Sequence, residues 1–271
     1  ASGTESAQRA LLALLADREE KSQYQRHITL NTLGFTKYGS HSDVIDALED
    51  MVFHQFGNQT AQNASLTDPV VAFAPLVLGT VVHFRHHTGH VNANERDRTA
   101  ALQNELERRA QVALDDGHAK QHKIVWINTL GNTGRQSSLH ILAQYLDEHR
   151  AEREHEREHD DMIRAAAVMA LRQVPGNHSE DLINTYLSDP APKVREAAAN
   201  VYANHRQAGE GSAELIHKAW LKEQNSNVLS LLEKAKIKVG HTLGLVKPKN
   251  GWDEVAMPYT KGTEQKMGSE P

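Results

Sequence analysis

One short phrase recurs along this chain: an apolar helical run that closes on Leu-Gly, then a turn and a second amphipathic run. It is clearest at Ile28–Gly34, Leu76–Gly79 and Ile124–Gly131, with more divergent forms at Ala165–Arg172 and Ala197–Tyr202. The phrases stand about 40–50 residues apart, which is typical of HEAT and armadillo repeats built from helix pairs. One pair cannot bury its apolar stripe alone, so the pairs must stack. The sequence therefore predicts an all-α fold, a two-layered right-handed α-superhelix of HEAT-like helix pairs.

Hydrophobic periodicity places helices along most of the chain. The predicted helices are Ala7–Ala16, Ser22–Leu33, Ser42–Gln55, Val70–His87, Arg98–Leu114, Lys120–Leu130, Ser137–Leu146, Asp161–Val174, Ser179–Leu187, Pro192–Asn204, Ser212–Lys222 and Ser226–Val239. Gly34 and Gly131 follow apolar runs, which favours helix ends, because glycine enters the left-handed conformation at little cost. The charged run Glu148–Asp161 predicts a solvated loop or a disordered insertion. We assign residues 1–240 to the superhelical domain and 241–271 to an irregular or short-strand tail.

Composition excludes several classes of function. The net charge of −5 gives no basic patch, so nucleic acid is not a predicted partner. The absence of cysteine excludes disulfides, thiolate metal sites and cysteine nucleophiles. No apolar run approaches the roughly 18 residues that a transmembrane helix needs. Glycosylation sequons at Asn58, Asn63 and Asn177 fall in predicted loops and indicate a secreted, extracellular glycoprotein.

A series of phrases resembles the helical domain of the large lipid transfer proteins, which are the vitellogenins, apolipophorins, apolipoprotein B and microsomal triglyceride transfer protein. The segment Ile127–Leu139, INTLGNTGRQSSL, is similar to the family's LGN-G-x-x-SS phrase. Other phrases similar to the family's follow in the family's order. They are Leu78–His83, Arg164–Arg172, Ile183–Leu187, Pro192–Ala198 and Lys222–Val228.

This resemblance implies the C-terminal part of a superhelical domain that helps to enclose a lipid cavity. The cavity is formed mainly by β-sheets elsewhere in the longer protein, and the tail 241–271 would point toward that sheet region. The implied function is non-enzymatic binding, transport or storage of lipid, or of a carotenoid-like apolar ligand, without a covalent cofactor. The implied partners are lipid and other chains or domains of the same lipoprotein-like assembly, which would make the chain a subunit of a hetero-oligomer.

On this interpretation the ligand-facing or sheet-facing side chains are apolar residues of several helices. They are Phe73, Leu76, Val77, Val81, Trp126, Leu130, Met169 and Tyr202. For Trp126, burial in the core is the more usual role of a large aromatic side chain. The alternative from another class is a HEAT-type protein-interaction scaffold, whose concave face binds a partner without lipid.

Two histidine patterns raise the question of a metal. His83, His87 and His90 stand at i, i+4 and i+7 and could ligate zinc or copper, although their polar surroundings also fit an ordinary helix end. His155 and His159 flank glutamates as in metalloprotease helices, but their wholly polar run favours a solvated loop. We therefore predict no metal site. No catalytic residues are predicted either, since the chain carries no phosphate loop, nucleophile elbow or paired catalytic carboxylates.

Overall fold

The computed structural model describes residues 4–16, 23–34, 42–56, 69–87, 92–115, 120–148 and 157–242. Within these ranges the chain forms twelve α-helices and no strand, which confirms the predicted all-α superhelical class. The helices are α1 (Glu5–Ala16), α2 (Gln23–Gly34), α3 (Ser42–Glu49), α4 (Pro69–His87), α5 (Ala93–Asp115), α6 (Lys120–Thr133), α7 (Leu139–Glu148), α8 (Arg157–Ala170), α9 (Asn177–Tyr186), α10 (Pro192–Asn200), α11 (Glu210–Lys222) and α12 (Ser226–Thr242).

Short segments with other hydrogen-bond patterns extend several of these helices. Residues Asp50–Phe56 continue α3, and residues Val201–His205 continue α10, both as π-helix. Gln136–Ser138 precedes α7 and Leu171–Gln173 follows α8, both as 3₁₀-helix. Short 3₁₀ segments are common at helix ends, because their tighter bonds satisfy the terminal backbone groups.

The charged run Glu148–Asp161 differs from its prediction at its C-terminal end. Helix α8 begins at Arg157, so the last residues of the run are helical and not loop. Arginine and glutamate have high helix propensity and extend a helix that tertiary packing has already stabilised. The part of the run at 149–156 lies outside the described residues, as do Asn58, Asn63 and the tail beyond residue 242.

The helices form two layers, with even-numbered helices in one and odd-numbered helices in the other. Each even-numbered helix from α2 to α12 packs along its even-numbered neighbours, whereas odd-numbered neighbours such as α7 and α9 barely touch. Because the concave side of a curved array has the shorter arc, the closely packed even layer is the concave layer. The apolar core lies between the two layers and is continuous from Leu15 to Val239.

Glycines of the recurring phrase allow this close packing within the even layer. A Cβ on Gly34 would lie 2.9 Å from Val77 Cγ1 of α4, and one on Gly79 would lie 2.6 Å from the carbonyl oxygen of Thr129 in α6. Small residues at such positions let helix backbones approach. The prediction that Gly34 and Gly131 cap their helices through a left-handed conformation is wrong, because neither has a positive φ. Their role is to let the backbones of neighbouring helices approach closely.

The left-handed glycine of the best-formed repeat is Gly134, with φ +62°. Helix α6 continues through Gly131 to Thr133, and the amide of Gly134 donates to the carbonyl oxygen of Gly131 to close the turn. Gly176, with φ +103°, makes the corresponding break after Pro175 and before α9. The predicted turn is therefore correct in place, but its last glycine and not its first adopts the special conformation.

Candidate functional site

The open face of the even layer carries a series of apolar side chains. Helices α4, α6 and α8 bury one face against the core, and their opposite faces carry half-buried apolar side chains at helical spacing. We call this set the even-layer strip. Its members are Phe73, Leu76, Ile124, Val125, Ala165, Ala166 and Met169. Half-buried Thr80, Asn128 and Asn132 lie on the same face, so the strip is mainly apolar with polar interruptions.

A series of side-chain bonds links neighbouring helices beside the strip. Asn132 donates from Nδ2 to the carbonyl oxygen of Leu76 at 3.1 Å, which joins α6 to α4. Arg172 donates from Nη2 to Asn132 Oδ1 at 2.6 Å and from Nη1 to the carbonyl oxygen of Met169 at 3.0 Å. Asn200 Nδ2 lies 3.7 Å from Met169 Sδ and extends the series to α10. These contacts show that the strip residues of successive helices share one face.

Positive charge collects at the C-terminal ends of α8 and α12, next to the strip. Arg172 lies just beyond α8, and burial lowers the pKa of its guanidinium. Burial, and then the charges of Arg172 and Lys238, lower the pKa of His205. Lys238 donates to the carbonyl oxygens of Tyr202 and Arg206 at 3.2 and 3.1 Å. Cations at helix C-termini are stabilised by the helix dipole, so this cationic end is also locally favourable.

The comparison with protein families decides which kind of helical array this is. A family model described as the vitellogenin TPR domain matches residues 1–232. The chain belongs to this vitellogenin helical-domain family. The resemblance to the large lipid transfer proteins is thereby confirmed, and TPR, like HEAT, denotes a repeat built from a helix pair.

Two other comparisons add little. None of the curated proteins compared with the chain matches it. A crystal structure of an engineered protein is similar over 88% of this chain and 98% of that chain, at 12% identity. Its TM-score is 0.36, which is too low for an argument about fold.

Two arginines in the family-like phrases, Arg164 of α8 and Arg195 of α10, form hydrogen bonds that stabilise the fold. Arg164 donates to Asp189 Oδ1, which also accepts the amide of Ala191 at the start of α10. Arg195 donates to Glu223 at 2.7 and 2.9 Å and to the carbonyl oxygen of Asp189 at 2.8 Å. The family-like phrases Arg164–Arg172 and Pro192–Ala198 therefore tie successive repeats of the domain together.

The predicted ligand-facing residues separate into two groups. Phe73, Leu76 and Met169 belong to the even-layer strip. Val77, Val81, Trp126, Leu130 and Tyr202 are buried within the chain itself.

The two buried aromatics show what these positions do. Trp126 packs with its ring centroid 5.6 Å from that of Phe56, and Tyr202 donates its hydroxyl to Asn184 Oδ1 at 2.7 Å. The predicted ligand-facing residues did not include Ile124, Val125, Asn132, Arg172 or Asn200. A signal was available for Ile124, because it stands two residues before the buried Trp126 and therefore on the opposite side of α6.

The histidines at the end of α4 serve the helix packing. His83 Nδ1 lies 3.0 Å from the carbonyl oxygen of Thr133, and its ring centroid is 4.5 Å from that of His87. Burial is the main cause that lowers the pKa of His83. His90 and His155 lie outside the described residues, and the described residues hold no group of three metal-ligating side chains.

Two further observations concern the surroundings of the domain. Asn177 is exposed and is the first residue of α9, so it begins a helix and does not lie in a loop as predicted. Among the described helices, none combines the length and the apolar character required to cross a membrane.

Proposed function

We propose that this chain binds lipid on the even-layer strip as one wall of a larger apolar cavity, within a secreted assembly for lipid transport or storage. The observation that carries the proposal is the strip itself, a set of half-buried apolar side chains on α4, α6 and α8 in a vitellogenin-type domain. Apolar ligand surface that leaves water contributes about 25 cal/mol per Å² to binding. The role is non-enzymatic, and it depends on burial and not on a reacting group.

The charge beside the strip favours an amphipathic lipid. Arg172 and Lys238 would neutralise a phosphate at the cationic end, while acyl chains lie along Leu76 and Met169. Guanidinium groups bind phosphate through paired hydrogen bonds, which supports a phospholipid over a triglyceride or a carotenoid-like pigment. The remaining walls of the cavity would come from other domains or chains of the same assembly.

We also propose that the protein is secreted. Proteins that carry lipid between cells work outside them, and the exposed Asn177 would carry one of the glycans. Peptide mapping of the protein secreted by eukaryotic cells would test this part, and an unmodified Asn177 with intracellular retention would contradict it.

Lipid extraction from the natively purified protein tests the main proposal. Organic extraction followed by mass spectrometry should recover phospholipid, and the substitution Ile124→Gln should reduce the amount, because a polar group would enter the strip. The matched control is Val112→Gln on α5, which changes an exposed apolar residue of the odd layer. Equal lipid recovery from the two variants would reject the strip as the site. A stable complex with a protein partner and no extractable lipid would instead support the scaffold alternative.

A further inference from the structure

A second concave feature lies away from the even-layer strip, where α4 ends and α5 begins. It is a cavity of about 600 Å³ between the C-terminal end of α4, the first turns of α5 and the turn that follows α6. Its charged lining consists of Arg85, Arg96 and Arg135 against one carboxylate, Asp97. The lining is thus rich in hydrogen-bond donors and carries net positive charge, in a protein whose overall charge is −5.

Two of these guanidinium groups have no partner in the described part of the chain. Arg96 and Arg135 make no side-chain hydrogen bond or ion pair with any described residue. Arg85, in contrast, is 3% exposed, donates from Nε to Thr99 Oγ1 at 3.1 Å and has Glu95 Oε1 at 3.7 Å. The cavity therefore has one anchored arginine, which the fold already uses, and two whose donors are available to a ligand.

One lining residue of the cavity also has a buried acceptor without a donor. Gln103 is 4% exposed, and its Nε2 donates to Glu107 Oε1 at 2.6 Å and to Ser138 Oγ at 2.9 Å. These two acceptors fix the orientation of the amide, and its Oε1 accepts no hydrogen bond from the described residues. A buried polar atom without a partner is rare in folded proteins, because its desolvation is uncompensated. Gln103 lines the cavity, but its Oε1 has less than 1 Å² of exposed surface, so a ligand there would supply the donor after a small shift of the side chain.

We propose that the cavity binds a phosphorylated polyol, with the phosphate held by Arg96 and Arg135 and a hydroxyl donating to Gln103 Oε1. Arginine matches phosphate because its fork of N–H groups bonds two oxygens at once. An anion without a hydrogen-bond donor would satisfy the arginines and leave Gln103 unpaired. The same chemistry occurs in a free sugar phosphate and in the headgroup of a polyol phospholipid. This inference does not depend on the proposed lipid function, because none of the strip residues lines this cavity.

Calorimetric titration of the 271-residue chain with glycerol 3-phosphate and with sulfate tests the proposal. Glycerol 3-phosphate should bind more tightly than sulfate, which lacks a donor at neutral pH. Substitutions Arg96→Gln and Arg135→Gln should each weaken both ligands about tenfold, which is the effect expected of one lost charge-assisted contact. Gln103→Met should weaken glycerol 3-phosphate and leave sulfate unchanged.

Lys218→Gln on α11 is the matched control, since it removes one exposed positive charge far along the chain and should change neither affinity. The Gln103 variant also loses bonds to Glu107 and Ser138, so its helicity is measured by circular dichroism. The arginine variants test the site independently of that variant's folding. Equal affinity of all variants for both anions, or no binding at millimolar concentration, would overturn the proposal.

The two sources of the ligand are separated by a final comparison. A short-chain phosphatidylinositol that binds more tightly than free inositol 1-phosphate would identify a lipid headgroup. Equal affinities would identify a free phosphorylated polyol. In both cases the affinity must fall in the Arg135→Gln variant, and affinity that is insensitive to this substitution would reject the site.

Discussion

Gly131 of α6 lies directly against Ala170 of α8. A Cβ built on Gly131 would stand 2.6 Å from Cα, 2.7 Å from Cβ and 3.0 Å from the carbonyl oxygen of Ala170. These are mainly backbone atoms of the last residue of α8, so no side-chain rotation can relieve the overlap. The separation between two neighbouring helices of the concave layer is therefore set by one missing methyl group.

Substitution Gly131→Ala should destabilise the domain by about 1–3 kcal/mol, the usual cost of overpacking a close-packed core. The free energy of unfolding from chemical denaturation measures this effect. Gly211→Ala is the matched control, because nothing lies within 4 Å of the Cβ that it adds near the start of α11. That variant should be neutral or slightly more stable. Similar losses in both variants would contradict the close-approach argument.

Gly134→Ala should also be destabilising, but for a different reason. The backbone at Gly134 has φ +62°, and the added Cβ would lie 2.9 Å from His83 Nδ1. Strain in the left-handed conformation costs on the order of 1–2 kcal/mol for a residue other than glycine. Because the overlap is with His83, the variant should also shift the side-chain resonances of His83 in an NMR spectrum. Unchanged resonances and unchanged stability would show that the turn relaxes freely.

Breaking the Arg195–Glu223 pair should cost about 2–3 kcal/mol, the range for a hydrogen-bonded charge that loses its partner. The Glu223 carboxylate side chain is 3% exposed and also accepts the amide of Asn225, so Arg195→Gln leaves it buried without its cation. Chemical denaturation of this variant measures the loss. Arg108→Gln, which breaks an exposed pair with Glu105 within α5, is the control and should cost little. Equal effects of the two substitutions would reject a special role for the Arg195 pair.

The same pair predicts a dependence on acid. The hydrogen bond from Arg195 is the main cause that lowers the pKa of Glu223 to about 2, from an ordinary value of 4.5. A carboxyl with a depressed pKa stabilises the fold above its unfolded value, and this stabilisation is lost as pH falls from about 4.5 toward 2. Glu223→Gln should therefore flatten the acid limb of a plot of unfolding free energy against pH. An unchanged slope would contradict this assignment.

His83 predicts a loss of stability at milder acidity. Burial, opposed by the bond to Thr133 and reinforced by His87, holds the pKa of His83 below the ordinary value of 6.5. The unfolded chain then takes up a proton at a higher pH than the folded chain, so stability falls as pH decreases through 6.5. Thermal unfolding at pH 7.5 and 5.5 should show a smaller decrease in His83→Gln than in the native chain. The same decrease in both proteins would rule out His83 as the cause.

Sequence periodicity predicted the helix pairs well because each helix carries its own apolar stripe and its own stop signal. Pro175-Gly176 and the turn through Gly134 are local signals, and the structure has breaks at both. The open face was harder to predict. Trp126 and Leu130 occupy the core face of α6, whereas Ile124 and Val125 occupy the open face, although all four are apolar. When both sides of a helix are apolar, the sequence does not show which side packs against the core.

The sequence by itself determined the all-α class, the order of the helices and the vitellogenin-type family, because these follow from local periodicity and from ordered phrases. Only the tertiary structure decided the purpose of the Leu-Gly phrase, which depends on how near Gly131 comes to Ala170. It also brought Arg96, Gln103 and Arg135 to one cavity. Such distances are set by the packing of helices far apart in the chain, and a sequence pattern reports only neighbours along one helix.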